Sequence, residues 1–226
     1  RFFTDVIICV SEGERQAAIE NNVAGAEKLR LIYNGIENGL NLQASKINRR
    51  KKKRLKIGCL SRLVIQKDPL FFLLIADIVC ERDNNVEFWL YGDGELGDAV
   101  REEVNRLHNR ERIHLLGFTA EGERELSSFD IYFNTSLYEG LPYTLLEALK
   151  NRIPIVCTDI TGNNEVVEHG KNGFLYAVGD TTAAADYLYT LIVSQELREL
   201  MGASCFDRFH ERFTLQRMLQ ETETVY

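Results

Sequence analysis

Residues 129–149 read FDIYFNTSLYEGLPYTLLEAL. The apolar run 131–133 is typical of a buried strand, and it ends at Asn134, where a polar loop begins. Pro142 suits the first turn of a helix, because the N–H that proline lacks has no partner there. The stretch therefore predicts a strand, a loop and a helix in succession, which is the repeating unit of a parallel α/β sheet.

Strand-like and helix-like segments alternate along most of the chain. The strand-like runs are 6–10, 31–33, 55–60, 86–91, 113–116, 131–133, 155–157 and 174–176. This alternation predicts an α/β fold with a Rossmann-like parallel sheet and helices on both faces. The final stretch, 181–226, has no strand pattern and is expected to form two or three amphipathic helices, interrupted near Gly202 and Thr214.

Two glutamates, Glu139 and Glu147, lie on either side of the predicted helix start. Glu139 belongs to the loop, and Glu147 lies one turn inside the helix. The N–H groups of Gly140, Leu141 and Tyr143 would lack partners at a helix N-terminus, which favours a phosphate or a sugar oxygen there. The pattern predicts an anion site flanked by two carboxylates. The alternative is that both glutamates are ordinary surface acids.

Two cations follow the predicted strand 55–60. Arg62 lies at the carboxyl end of that strand, and Lys67 precedes an apolar helix predicted at 70–80. In open α/β sheets, ligands bind at this edge. Arginine offers a planar fork and lysine a compact charge, a pair that suits two neighbouring phosphates. The alternative is a solvated loop with two unrelated cations.

The run GDGELG at 92–97 matches the G-x-G-x-x-G fingerprint of dinucleotide binding, because it follows an apolar strand and precedes a predicted helix. That fingerprint would make the protein an oxidoreductase. It also asks for an acid about 20 residues later, at the end of the next strand, to hold the ribose. Here the next strand ends in Gly117 and Phe118, which disfavours a nicotinamide cofactor.

A series of motifs extends over nearly the whole chain: DVIICVS (5–11), LRLIYNGIE (29–37), GCLSRLVIQKD (58–68), FWLYGDGEL (88–96), IHLLGFT (113–119), the stretch 129–149, IPIVCTDITGNNEVV (153–167) and HGKNGFLY (169–176). In this order they resemble the retaining glycosyltransferases of family 4, which have the two-domain GT-B fold. The first two resemble the end of the amino-terminal domain and its hinge. The others resemble the carboxy-terminal, donor-binding domain.

The resemblance implies a role for each candidate residue. Arg62 and Lys67 would bind the donor diphosphate and, with Glu139 near the donor sugar, would be the catalytic groups. Glu147 would accept hydrogen bonds from the ribose. Main-chain groups would cradle the phosphate and sugar, and one turn would line the nucleobase. These further donor-binding residues are Gly117, Phe118, Thr119, Gly140, Leu141 and Tyr143.

The implied activity is transfer of a sugar, with retention of configuration, from a nucleotide-diphosphate sugar to a glycan or lipid-linked acceptor, as in surface polysaccharide synthesis. No metal or other cofactor is expected. Two alternatives remain open. The chain could be a non-catalytic module that binds nucleotide sugars, or a sugar-nucleotide epimerase of the same fold.

Chain length suggests how the domains are organised. A chain of 226 residues, 45% of them hydrophobic, can bury one substantial core, whereas a GT-B enzyme needs about two such domains. We expect 1–40 to be the tail of an amino-terminal acceptor domain with its hinge, 41–54 a basic linker, and 55–226 the nucleotide-sugar-binding domain. As such a fragment, the chain should bind donor better than it transfers sugar.

Positive charge is concentrated in one segment. Residues 46–56 hold eight Lys or Arg and no acid, although the net charge of the chain is −7. The segment could contact an anionic membrane surface, where each basic residue contributes about 1 kcal/mol. The alternative is an extended, solvated linker. Nucleic acid is not an expected partner, because the acidic remainder of the chain would repel its phosphates.

The cysteine pattern favours a reducing compartment. Five cysteines are widely spaced and mostly embedded in apolar runs: Cys9, Cys59, Cys80, Cys157 and Cys205. They read as reduced core residues, and the sequence has no C-x-x-C, D-x-D or H-x-x-x-H pattern for a metal. No apolar run of about 20 residues is present. We expect a cytoplasmic protein, or one peripheral to the inner face of the membrane.

Overall fold

The computed structural model describes residues 4–39 and 54–226. Within these ranges a small parallel sheet pairs β1 (Ile7–Cys9) with β2 (Leu29–Leu31), and helix α1 (Glu12–Glu20) connects them. The remaining strands form one parallel sheet of six. They are β3 (Leu55–Leu60), β4 (Val86–Tyr91), β5 (Ile113–Leu115), β6 (Ile131–Asn134), β7 (Ile155–Thr158) and β8 (Gly173–Tyr176).

Helices connect these strands and follow the last of them. They are α2 (Pro69–Arg82), α3 (Gly97–Arg106), α4 (Gly122–Leu126), α5 (Tyr143–Lys150), α6 (Asn163–Val166), α7 (Thr181–Val193), α8 (Gln195–Arg212) and α9 (Leu215–Glu223). Parallel strands need such crossovers, and the helices bury apolar faces against the sheet. The α/β fold class predicted from the alternation is confirmed.

The core lies on the central strands. Every residue of β6 and β7 is buried, as a strand covered on both faces requires. Phe72 of α2 packs against Phe88 of β4 and Phe133 of β6, with ring centroids 5.7 and 5.4 Å apart. These aromatic contacts fix α2 across the middle of the sheet.

The strand order determines where a ligand can enter. The order is β5-β4-β3-β6-β7-β8, so the chain proceeds outward in one direction from β3 and in the other from β6. The reversal lies between β3 and β6. At such a switch point the loops that leave the two strands diverge and open a crevice at the carboxyl edge.

Three boundaries differ from the sequence prediction. Strand β2 ends at Leu31, which pairs with Cys9, whereas the predicted strand began at Leu31. Pro142 caps α5 instead of lying inside its first turn. The terminal helices break at Thr214, as predicted, and at Ser194 instead of near Gly202. Gly202 lies inside α8, where a Cβ would be 2.5 Å from the Arg152 carbonyl oxygen, so the glycine permits close packing and does not end the helix.

Most of the basic segment 46–56 lies outside the described residues, as does nearly all of the predicted linker 41–54. The two basic residues that the structure describes are engaged at the start of β3. Arg54 pairs with Glu87 at 3.1 Å, and the Lys56 ammonium lies 4.0 Å from the centroid of the Trp89 ring.

Candidate functional site: a crevice between β3 and β6

The loops that follow β3 and β6 are joined by hydrogen bonds. The Leu137 N–H donates to the Gln66 carbonyl at 2.8 Å, and the Gln66 side chain donates to the Tyr138 carbonyl at 2.9 Å. The Thr135 hydroxyl donates to the Lys67 carbonyl at 2.8 Å. These bonds bring together the two clusters predicted from the sequence, one around Lys67 and the other around Glu139.

Lys67 and Glu139 form an ion pair in this crevice. Their side chains are only 15% and 7% exposed. The Ser136 hydroxyl donates a hydrogen bond of 2.7 Å to the same Glu139 oxygen. A buried pair of this kind is stable only when further hydrogen bonds satisfy its charged atoms, and Ser136 supplies one of them.

A buried polar network supports Ser136 from below. The Asn134 amide donates to the Ser136 hydroxyl at 3.1 Å, and the Asn163 amide donates to Asn134 at 3.2 Å. The Thr158 hydroxyl donates to the Ser136 carbonyl at 2.6 Å. Sequence reasoning missed Ser136, Thr158 and Asn163. The sequence held a signal for these residues, because small polar residues follow the apolar strands at 131–133 and 155–157.

Helix α5 begins beside this ion pair. Within the described part of the chain, the N–H groups of Gly140, Leu141 and Tyr143 have no hydrogen-bond partner, as expected ahead of and inside a first helical turn. The Asn34 side chain donates to the Leu141 carbonyl at 3.2 Å and fixes that peptide. Free N–H groups and the helix dipole favour an anion at this point.

The loop after β7 packs closely against the Gly140 turn. Gly162 has a φ of +84°, and a Cβ at this position would lie 2.1 Å from the Gly140 carbonyl oxygen. Only glycine meets both conditions without displacing the neighbouring chain. The position of the Gly140 turn therefore depends on Gly162.

A cavity of about 240 Å³ lies at the carboxyl ends of β3 and β4. Its lining includes Leu60, Arg62, Tyr91, Phe118 and Thr119. Phe118 is 78% exposed, which is unusual for so large an apolar side chain. The Arg62 side chain is exposed and makes a long contact of 3.4 Å to Gln66. The cavity thus unites Arg62 with the turn predicted to line a nucleobase.

The glycine-rich run 92–97 forms the far wall of this region. A Cβ on Gly92 would lie 1.8 Å from the Ser61 carbonyl oxygen. The Leu63 N–H donates to the Asp93 carbonyl at 2.9 Å, and the Leu96 N–H donates to the Leu63 carbonyl at 2.8 Å. The run therefore packs against the loop that presents Arg62, which accounts for its glycines without a dinucleotide.

Glu147 lies one turn inside α5, as predicted. Burial raises the pKa of its carboxyl group, and the negative charge of Glu123 on α4 raises it further. Lys150, in the last turn of α5, opposes these effects and lowers the pKa. The Lys150 side chain is itself buried and forms an ion pair with Glu123.

The segment 4–39 lies against the same loops. Glu165 of α6 accepts hydrogen bonds from the Glu12 and Gly13 N–H groups, at 2.7 and 3.0 Å, and so caps the start of α1. A Cβ on Gly140 would lie 2.5 Å from a Glu14 carboxylate oxygen. Helix α1 therefore lies next to the turn that leads into α5.

Three further sequence expectations can be compared with the structure. All five cysteines are free and buried, as predicted. Among residues 4–39 and 54–226, no group of three or more His, Cys, Asp or Glu is placed to hold a metal ion. Within the same ranges, every helix is too short or too polar to cross a bilayer.

Two curated relatives resemble the chain. A poly(ribitol-phosphate) alpha-N-acetylglucosaminyltransferase of Staphylococcus aureus is 26% identical over 73% of the chain and 34% of its own length. A UDP-Gal:alpha-D-GlcNAc-diphosphoundecaprenol alpha-1,3-galactosyltransferase of Escherichia coli is 26% identical over 99% of the chain and 60% of its own length. The chain thus spans less than two thirds of either relative.

A solved structure and a family profile agree with these relatives. The S. aureus TarM G117R mutant, in complex with fondaparinux, alpha-GlcNAc-glycerol and UDP, superposes with a TM-score of 0.87. The match covers 98% of this chain and 43% of TarM. Because the two chains are only 23% identical, this similarity shows a shared fold and nothing more. Residues 42–205 match the family described as Glycosyl transferases group 1. The chain belongs to the group 1 glycosyl transferases.

Proposed function

We propose that residues 54–226 form the donor-binding domain of a retaining glycosyltransferase of family 4 that uses a nucleotide-diphosphate sugar. The observation that supports this most strongly is the convergence of Arg62, Lys67, Glu139 and the free N–H groups before α5 at one switch point. Two cations and a helix N-terminus suit a diphosphate, and carboxylates suit sugar hydroxyls.

The proposed donor is a UDP-sugar. One relative is named for UDP-Gal, and the TarM structure contains UDP. The cavity beside Phe118 and Thr119 would receive the base, while Glu147 would accept hydrogen bonds from the ribose. The proposed acceptor is a glycan or a lipid-linked sugar in surface polysaccharide synthesis, since the two relatives act on poly(ribitol phosphate) and on a diphosphoundecaprenol-linked sugar.

The chemical role of the domain is to stabilise the departing nucleoside diphosphate. Negative charge develops on the phosphate oxygen as the bond to the sugar breaks, and Arg62, Lys67 and the start of α5 would stabilise that charge. Glu139 would contact the sugar and hold it in place while Lys67 turns towards the phosphate. The cationic groups would make a divalent ion unnecessary.

Calorimetric titration with UDP, ADP, GDP and their glucose conjugates tests the donor assignment. We expect UDP and one UDP-sugar to bind and the purine nucleotides to bind at least tenfold more weakly. EDTA should leave donor binding unchanged. A tenfold loss of binding that magnesium or manganese restores would contradict the metal-free mechanism.

Glu147→Gln tests the ribose contact. The substitution keeps the shape of the side chain but removes a charged acceptor, and such a hydrogen bond is worth about 1.5 to 3 kcal/mol. UDP and the UDP-sugar should both bind about ten- to a hundredfold more weakly. Glu81→Gln, on the exposed side of α2, is the control and should bind as the wild type does. If Glu147→Gln also binds as wild type, Glu147 does not contact the ribose.

A second candidate role concerns the basic segment 46–56, whose first eight residues lie outside the described ranges. Its eight cations would attract an anionic membrane. Co-sedimentation with anionic liposomes should then fall steeply as salt rises through the physiological range, because screening acts within about 8 Å there. Binding that salt does not weaken, or no binding, would favour a plain linker.

A further inference from the structure

Lys150 is a buried cation in the last turn of α5. Only 3% of the residue is exposed. Taking an ammonium group out of water is costly unless other groups compensate its charge, so its partners are informative. They are the Glu123 carboxylate on α4 and, at 3.4 Å, the Glu37 carbonyl oxygen in the segment that precedes the linker.

Glu147 and Lys150 are three residues apart on one helix, and side chains with this spacing lie on the same face. The Glu123 carboxylate, on α4, forms an ion pair with Lys150 and raises the pKa of Glu147. The charge of the Lys150 ammonium group also lowers the pKa of the neighbouring Glu147 carboxyl group. Without the ammonium group, Glu123 and Glu147 would repel each other where water is partly excluded, and Glu147 would take up a proton more readily.

Within residues 4–39 and 54–226, the charged groups that α8 and α6 place beside α5 are engaged with other partners. From α8, the Arg208 guanidinium is engaged with Glu168 and with the carbonyls of Glu165 and Val166. From α6, the Glu165 carboxylate is occupied by the N–H groups at the start of α1. Among the residues that the structure describes, Lys150 is the cation that lowers the pKa of Glu147.

We propose that Lys150 is a positioning residue of the donor site: it compensates the Glu123 carboxylate and thereby keeps Glu147 available as an ionised acceptor for the ribose hydroxyls. The inference rests on the proposed function, because it assigns Lys150 a role only if Glu147 contacts the nucleotide. Lys150 itself does not touch the ligand. It also joins α5 to α4, the helix that follows the base-lining turn.

A purely structural role for Lys150 makes a different prediction. If the residue only held α4 and α5 together, its loss would weaken UDP binding by the same factor at every pH. If it keeps Glu147 ionised, the loss grows as the pH falls, because protonated Glu147 is no longer a charged acceptor. The pH profile therefore distinguishes the two roles.

The experiment is a calorimetric titration of UDP into the 226-residue chain from about pH 5 to about pH 8, near the range where a raised glutamate titrates. Lys150→Met should weaken binding about tenfold near neutral pH and more at lower pH, so that the acid loss of affinity begins at higher pH. Lys150→Arg keeps the charge and should restore most of the affinity. Lys171→Met, which removes an exposed partner of Glu168, is the matched control and should bind as wild type.

Glu123→Gln gives a test of opposite sign. It removes the repelling carboxylate, so the acid loss of UDP affinity should move to lower pH than in the wild type. The Glu123 side chain is 39% exposed, and in this variant Lys150 keeps the Glu37 carbonyl and the charge of Glu147, so we expect it to fold, which circular dichroism can verify.

Three results would overturn the inference. The first is that Lys150→Met binds UDP with the affinity and pH profile of the wild type. The second is that Lys150→Met loses affinity by the same factor at every pH and Lys150→Arg does not restore it. The third is that the acid loss of UDP affinity in Glu123→Gln begins at the same pH as in the wild type or at a higher pH. Glu147→Gln separates this failure from that of the proposed function. If Glu147→Gln weakens UDP binding while the Lys150 and Glu123 variants behave as wild type, only the role of Lys150 is wrong.

Discussion

The Lys67 ammonium group and the Glu139 carboxylate form an ion pair that links the loop after β3 to the loop after β6. The lysine proposed to bind the diphosphate is therefore already engaged by the acid proposed to contact the sugar. Donor binding has to draw the lysine at least partly towards the phosphate. The pair gives the crevice a neutral centre, and the proposed donor would supply the charge that rearranges it.

Glu139→Gln should separate these two roles. With the carboxylate neutralised, Lys67 faces the diphosphate without competition, so we expect UDP to bind unchanged or about two- to fivefold more tightly. The UDP-sugar should lose this gain, because a neutral amide is a weaker acceptor for sugar hydroxyls. Calorimetry on both ligands measures the difference. The control is Glu121→Gln, which changes an exposed acid directly before α4. Weaker binding of free UDP would mean that Glu139 touches the nucleotide itself.

Gly162→Ala should weaken donor binding through the Gly140 turn. The added Cβ would lie 2.1 Å from the Gly140 carbonyl, so the turn that presents the free N–H groups must shift. Gly179→Ala is a matched control, because Gly179 has a similar φ of +79° but nothing lies within 4 Å of its Cβ position. Both variants bear backbone strain of about 1 kcal/mol. Only Gly162→Ala should reduce UDP affinity, by about tenfold or more, and equal losses would contradict this.

Phe118→Ala tests the base subsite. Stacking of a base on an aromatic ring is typically worth about 1–3 kcal/mol, which corresponds to about a 5- to 100-fold loss of UDP affinity. Pyrophosphate should bind as before, because it has no base. Folding should be unaffected, since Phe118 is largely exposed. Leu116→Ala, two residues earlier and 42% exposed, is the control. If the two variants lose equal affinity, Phe118 does not stack on the base.

Arg208→Met should destabilise the fold. Arg208 is buried and donates to the Val166 and Glu165 carbonyls at 2.6 and 2.7 Å while it pairs with Glu168. Its loss removes the donor to the Glu165 carbonyl, one of two donors to the Val166 carbonyl and a partner of Glu168, and we expect the free energy of unfolding to fall by about 2–4 kcal/mol. Denaturant unfolding measures the change. Arg82→Met, which breaks an exposed pair with Asp186, should cost less than about 1 kcal/mol.

The sequence predicted the parallel sheet, because strand and helix patterns are local, and the family resemblance assigned Lys67 and Glu139 to one donor site. It could not predict that Lys67 and Glu139 pair with each other, since that contact depends on the path of two loops. Nothing in the sequence singled out Lys150. Its burial and its ion pair depend on how α4, the preceding helix, packs against α5.

The misplaced helix break has a similar cause. Glycine is a frequent helix terminator, but Gly202 is needed where α8 meets the Arg152 carbonyl, and Ser194 ends α7 and caps α8 through its hydroxyl. Local propensity was overridden by a contact between elements, which a single sequence does not reveal.

Several hydrogen bonds that hold segment 4–39 to the loops of the candidate site join a side chain to a main-chain atom. Asn34 binds the Leu141 carbonyl, and Glu165 binds the Glu12 and Gly13 N–H groups. A peptide group is the same whatever side chain follows it. Substitutions on the outer surface of α1 can therefore leave these hydrogen bonds unchanged.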